Sequence, residues 1–351
     1  MTSTIAADPD LFALAQRLAN LAGRGPARNL RRLEGGRNNR VYRVAMRDGP
    51  PLALKSYFSD PRDPRDRLAA EWSFLGHAWR RGVRNVPEPV AADAATHAAL
   101  YDFVEGRKLD AGEIGIAEVD AAADFVVAVN AAPRDPTALA PASEACFSLE
   151  EHLSTVARRV ARLRALDPGA PLREEAERLV ATRLTPVWRD VERGVAAAAA
   201  RERIDPAASL SASACCLSPS DFGFHNALAR ADGAKTGPVA LTFLDFEYAG
   251  RDDPAKLICD FFCQPEIPVP LGHFDRFLAR VGDGLALGGR DYARCRLLVD
   301  AYRVKWACII LNEFLPLGAS RRAFADQDSW GARSAAQLRK AEAILSAVKA
   351  S

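Results

Sequence analysis

Strand-length apolar runs crowd the first hundred residues of this chain, and helical periodicity governs most of the remainder. Leu30–Leu33, Val41–Met46 and Leu52–Tyr57 are short and rich in branched and aromatic residues, and the turns between them, Gly35-Gly36 and Asp48-Gly49, suit hairpins. A first helix is expected from about Asp8 to Ala22, ended by Gly23, Gly25 and Pro26. After a proline-broken stretch that stops at Pro64, Leu68, Trp72, Leu75 and Trp79 recur at steps of three and four, so an amphipathic helix starts near Asp66. Val86–Ala92 and Ala98–Val104 add two strands. Helices are then expected near 117–131, 148–166, 171–200, 254–262, 272–284, 290–313 and 332–349, with a small β region at Leu217–Leu228 and Val239–Phe246. This order predicts an α+β chain with an N-terminal lobe over residues 1–104, carrying an antiparallel sheet, and a larger, mainly helical lobe over 105–351. A cleft between two such lobes is the usual place for a ligand.

Composition removes several alternatives. The formal net charge of +2 over 351 residues lacks the basic excess of a nucleic-acid binder. Seven cysteines without a CxxC pair argue against a disulfide framework or a zinc site, and buried thiols are expected. The start, MTSTIAADPD, has no basic, apolar leader, and no run approaches the roughly 18 residues of a spanning helix. A cytoplasmic protein that binds neither membrane nor nucleic acid is the expectation.

The residues that carry chemistry come in order along the chain. EGGRNNRVYRV joins two predicted strands, and Gly35 and Gly36 would let backbone N–H groups approach a phosphate, with Asn38 and Asn39 as further donors. A plain hairpin turn explains the same residues. Lys55 sits in an apolar strand, where an ammonium needs a counter-charge, and Glu71 is the best-placed carboxylate on the next helix. An edge-strand lysine facing water is the alternative. LSPSDFGFHNAL then places Asp221 five residues before Asn226, and about twenty residues later the apolar strand LTFLDFEYAG ends in Asp245. An amide and a carboxylate at those positions offer the oxygen ligands that Mg²⁺ prefers, and Asp221 would orient an attacking hydroxyl or take its proton. Singly, each is also an ordinary turn residue. Together, in this order, they match what phosphoryl transfer requires: held phosphates, metal-held charge and a carboxylate near the nucleophile.

These residues give the chain a resemblance to the aminoglycoside phosphotransferase and choline kinase-like family, a branch of the protein-kinase-like fold, from about Leu30 to Phe262 by motif. The resemblance implies ATP or GTP as donor, Mg²⁺ and a small-molecule acceptor with a hydroxyl. It makes Asp221 the catalytic base, Asn226 and Asp245 the metal ligands, Lys55 the phosphate-contacting lysine and Glu71 its carboxylate partner. It further implies that Leu100-Tyr101-Asp102-Phe103-Val104 is the inter-lobe hinge, with Tyr101 and Phe103 beside the nucleotide. Asp252-Asp253-Pro254 and Asp260 look like the family's next acidic segment. The family's loop usually reads HGDxxxxN, whereas here Pro219-Ser220 stands before Asp221, which suggests a distinct subfamily with its phosphoryl-transfer residues retained. Phe222 and Phe224 are read as core residues, with a part in an acceptor pocket as the alternative. His225 is read as a structural hydrogen-bonder.

The acceptor is less legible. Lys305, Trp306, Asn312 and Glu313 interrupt a long apolar helix and could line a pocket, or lie on a core helix with a polar outer face. Residues 271–351 hold 13 Lys and Arg against 8 Asp and Glu, a balance that favours a neutral or anionic acceptor, such as a sugar, over a polycation. An amino alcohol would require an aromatic cage, for which Tyr302, Trp306 and Glu313 are available. A catalytically silent nucleotide-binding protein and a nucleotidyl transferase on the same fold are the competing readings.

Overall fold

The computed structural model describes residues 9–33, 39–61, 63–131, 139–230, 240–316 and 330–349. Helix α1 (Pro9–Leu21) precedes strands β1 (Ala27–Arg32), β2 (Arg40–Met46) and β3 (Leu52–Ser56). Helix α2 (Arg67–Arg80) comes next, and its N-terminus is capped by the Asp66 carboxylate, which accepts from the Ala69 N–H. Strands β4 (Pro89–Asp93) and β5 (Ala98–Asp102) complete an antiparallel sheet of order β1-β2-β3-β5-β4. β1 begins three residues earlier than its apolar run, because Ala27 pairs with Met46 across a bulge.

The remainder is helical around two small ribbons. Helices α3 (Ile116–Val129), α4 (Leu149–Arg162), α5 (Arg173–Leu179) and α6 (Thr185–Arg201) come first. The expected 171–200 helix is interrupted by a wide turn, Val180–Leu184, just ahead of Pro186. Proline lacks an N–H and crowds the preceding turn, so the helix widens there before it resumes. Strand β6 (Cys216–Ser218) pairs with β9 (Gly250–Asp252), and β7 (Ala227–Ala229) with β8 (Leu241–Phe243). Helices α7 (Pro254–Cys263), α8 (Phe274–Leu285), α9 (Gly289–Leu311) and α10 (Trp330–Ser346) complete the described chain.

The hydrophobic core does not divide where the sheet ends. One cluster lies between α1 and one face of the sheet, through Leu14, Leu18, Leu30, Val44, Leu54 and Leu100. The larger cluster takes α2 together with the helical part. Phe74 of α2 stacks on Phe246 at 4.6 Å, and Phe246 continues through Phe125 to Phe243. Phe222 and Phe224 are buried in this aromatic stack, each against Phe261, as the core reading expects. All seven cysteines are buried and unbridged. Among the described residues no helix is long and apolar enough to cross a membrane.

Candidate active site

Period-two geometry makes Lys55 and Tyr57 share one side of β3 and its extension, the side that α2 covers. Lys55 is buried, and its Nζ lies 2.5 Å from Glu71 Oε2 and 2.6 Å from Asp245 Oδ1. One ammonium therefore joins a strand of the sheet, helix α2 and the end of the β8 segment. Burial by itself would lower the Lys55 pKa, but Asp245, Glu71 and Glu247 outweigh it and hold the ammonium well above the ordinary lysine value. The Tyr57 hydroxyl donates to Glu71 Oε2 at 2.8 Å and lies 2.6 Å from the Tyr101 hydroxyl. Burial and then Glu71 push the Tyr57 hydroxyl up, so it stays a neutral donor that fixes the glutamate.

Asp245 differs from its partners in exposure: its side chain is 40% exposed, against 9% for Lys55 and 5% for Glu71. Its φ of +65° is left-handed, as is that of Ser220 at +67°. Non-glycine residues held in that region collect at functional sites, where surrounding structure over-determines the backbone. Two of the seven such residues among the described ones, Ser220 and Asp245, fall on the segments that carry the acidic residues. The Asp221 side chain is 35% exposed, and the Asn226 amide nitrogen donates to the Asp221 carbonyl at 3.0 Å. That bond leaves Asn226 Oδ1 as the acceptor atom. The Leu244 N–H donates to the Asn226 carbonyl at 2.8 Å, so the loop bearing Asp221 and Asn226 is tied directly to the residue before Asp245.

The oxygen donors of Asn226 and Asp245 suit a hard cation, and Mg²⁺ characteristically takes one or two protein oxygens and completes its shell with water and phosphate. Among the described residues no group of three or more His, Cys, Asp or Glu could cage a metal by itself. The donor set thus fits a metal that arrives with a phosphate ligand.

Other expectations are distributed differently. Gly35, Gly36 and Asn38 lie outside the described residues. Asn39 is spent on the protein: its amide donates to Glu247 Oε2 at 2.6 Å and its carbonyl accepts from the Phe58 N–H. Glu247 also faces Arg67 at 3.4 Å. The Tyr101 backbone is registered with Ala53 on one side and Pro89 on the other, while its hydroxyl meets the Lys55 network from behind. Phe103 donates its N–H to the Pro51 carbonyl, and its ring lies under Arg43. Sequence reasoning passed over Tyr57 and Glu247; strand alternation signalled Tyr57, two residues beyond Lys55, whereas Glu247 lies in a turn after β8 and carried no periodic signal.

Lys305 belongs to the core rather than to a pocket. It is buried and donates to both oxygens of Asp260, at 2.9 and 2.8 Å, and Trp306 Nε1 donates to Asp260 Oδ1. Asn312 accepts from Arg162 at 3.4 Å, and Glu313 lies 3.7 Å from Arg333.

The model of the phosphotransferase enzyme family (APH) matches residues 29–298. Solved structures share the fold at low identity. Spectinomycin phosphotransferase APH(9)-Ia, solved with ADP and spectinomycin, is 10% identical with a TM-score of 0.59, covering 96% of this chain and 98% of its own. Choline kinase LicA from Streptococcus pneumoniae is 13% identical with a TM-score of 0.58, covering 97% and 99%. A choline/ethanolamine kinase family protein from Mesorhizobium loti is 18% identical with a TM-score of 0.56, covering 91% and 88%. No curated protein sequence matches the chain. The chain belongs to the phosphotransferase enzyme family, adopts its protein-kinase-like fold and is a phosphotransferase.

Proposed function

We propose that the protein is a small-molecule kinase that moves the γ-phosphoryl group of ATP or GTP to a hydroxyl of a small metabolite, such as a sugar or an amino alcohol. The observation that carries this reading is the three-way junction at Lys55, whose Nζ touches Glu71 and Asp245 at once. Such a lysine, already charge-balanced, is set to hold nucleotide phosphates where Asp245 can share the cation. Bound Mg²⁺ would be held by Asn226 and Asp245 and would neutralise charge on the phosphates. Asp221, part-exposed on the loop fixed by Asn226, orients the acceptor hydroxyl and accepts its proton.

The nucleotide-binding lobe is assigned to residues 1–104 and the acceptor-binding lobe to 105–351. Support comes from the chain path: β5 ends at Asp102, and by Arg107 the backbone already pairs with Ala229 of β7. The deciding experiment incubates the protein with Mg²⁺, labelled ATP or GTP, and a library of sugars, amino alcohols and antibiotics, then weighs the product. A gain of one phosphoryl group supports the kinase, and a gain of a nucleotidyl group replaces it. Thermal stabilisation by nucleotide with no turnover on any acceptor would identify a silent nucleotide-binding protein. Full transfer by both Asp221→Ala and Asp245→Ala would refute the assignment of these residues.

A further inference from the structure

We propose that His225 is a positioning residue for Asp221, an inference that rests on the reading of Asp221 as the group that orients the acceptor hydroxyl. His225 Nε2 lies 3.3 Å from Asp221 Oδ1, and among the described residues no other basic side chain stands within ion-pair distance of that carboxylate. The imidazole is mostly enclosed, with 17% of its side chain exposed. Its Nδ1 is buried and has no hydrogen-bond partner among the described residues. Nε2 is thus the ring nitrogen turned toward a polar partner, and a proton carried on that nitrogen makes the imidazole a donor toward Asp221. Contacts of this kind are often long before substrate binds and tighten in the reacting complex.

The loop is shaped to admit this ring. Gly223 has a φ of 173°, extended backbone that any residue adopts, so its lack of a side chain is not a conformational need. It is a spatial one: a Cβ at 223 would stand 2.7 Å from His225 Nδ1 and 2.9 Å from Cε1, with Gln264 Cδ behind at 3.2 Å. Gln264 is itself buried and committed to the Glu266 and Ile267 backbone, so the ring has no easy retreat on that side. Held so, Asp221 presents its second oxygen, Oδ2, to the acceptor.

Three variants test this by steady-state kinetics with Mg-nucleotide and an acceptor from the screen. His225→Ala is expected to lower kcat roughly 10- to 100-fold, the penalty of a loosened catalytic geometry, with nucleotide KM and thermal midpoint near wild type. His225→Gln, whose amide reaches the same carboxylate, is expected to recover most of that loss. Gly223→Ala leaves both side chains present but displaces the ring, so it should lower kcat in the wild-type background and add little to His225→Ala. An unchanged kcat in His225→Ala overturns the proposal. So do equal losses in the Ala and Gln variants accompanied by a lowered thermal midpoint, which would mark a general structural role. Full turnover by Asp221→Ala would instead remove the premise, and that outcome is distinct because it concerns Asp221 alone.

Discussion

Two of the buried carboxylate–lysine clusters among the described residues differ in one respect: the first is left with valence to spare and the second is not. In the first, Lys55 binds Glu71 and Asp245, and Asp245 stays 40% exposed. In the second, which reaches the Asp221 loop through Lys256 and Ser220, every carboxylate is consumed by the protein. Asp253 receives His152 at 3.0 Å, Arg294 at 2.8 and 3.0 Å, and the Ala255 N–H as the cap of α7. Asp252 receives Lys256 and the N–H groups of Cys146 and Asp253, and Asp260 receives Lys305 and Trp306. A saturated cluster fixes structure, while an unsaturated one, opened on one side, can take a ligand.

The sharpest way to break that contrast is to delete one carboxylate from each. Asp245→Ala is expected to abolish measurable transfer, and Asp221→Ala to slow it by about 10²–10⁴-fold, the usual worth of a positioned general base. Both proteins should unfold within about 1 kcal/mol of wild type, because each lost side chain is part-exposed and Lys55 keeps Glu71. Asp253→Ala should do the reverse and lower stability by about 3–5 kcal/mol, since it strips the buried His152 of its carboxylate and leaves Arg294 with Asp291 alone. Chemical denaturation beside single-turnover kinetics reads both effects. Equal destabilisation by Asp245→Ala and Asp253→Ala would erase the distinction.

A pH series separates the clusters next. Burial would lower the His152 pKa, but Asp253 and Cys146 more than compensate, and it rises to about 9. Burial would raise Asp253, yet His152 and Arg294 bring it below the ordinary carboxylate value. A histidine whose folded pKa exceeds its unfolded value near 6.5 stabilises fully below that value and loses the contribution as pH climbs through about 9. The depressed aspartate contributes above its ordinary pKa and loses its contribution as pH falls further. Stability from this cluster should therefore peak in the mildly acidic range and decline by up to roughly 3 kcal/mol between about pH 6.5 and pH 9. In His152→Gln that alkaline decline should disappear from denaturation midpoints. A decline of the same size in the variant would assign it elsewhere.

The first cluster was more legible in the sequence than the second. Asp221, Asn226 and Asp245 announce themselves through local chemistry, a polar loop and a carboxylate closing an apolar strand, and Lys55 through its apolar surroundings. The partners that saturate the second cluster are set only by tertiary packing. His152 and Asp253 are 101 residues apart in sequence, and Lys305 and Asp260 are 45 apart. Lys305 therefore looked the same on paper whether it faced a pocket or a buried aspartate. The same limit hid the pairing of Asn39 with Glu247, 208 residues away. Strand β2 and helix α2 were readable because each buries one face at its own period, and β5 because it is a short, continuously buried apolar run. Their core was not, because Phe74 and Phe246 meet only once the chain has folded.

The smallest expected effect tests how firmly the open cluster is braced. Tyr57 donates to the same Glu71 oxygen that binds Lys55, and its ring lies 5.1 Å from the lysine nitrogen. Tyr57→Phe keeps the ring and removes the donor. Because Glu71 retains Lys55, stability should fall by about 1 kcal/mol, the net worth of one buried hydrogen bond. The Tyr101 hydroxyl would lose a partner as well, so Tyr101→Phe added to Tyr57→Phe should cost less than it does alone. If Glu71 is held mainly by Lys55, nucleotide KM in Tyr57→Phe stays close to wild type and the tyrosines serve the fold. If KM rises several-fold while stability scarcely moves, the hydroxyl is aiming Glu71, and through it Lys55, at the phosphates. The second result would extend the unsaturated cluster inward to Tyr57 and Tyr101, and Tyr101 would then serve the nucleotide through its hydroxyl rather than through the hinge backbone.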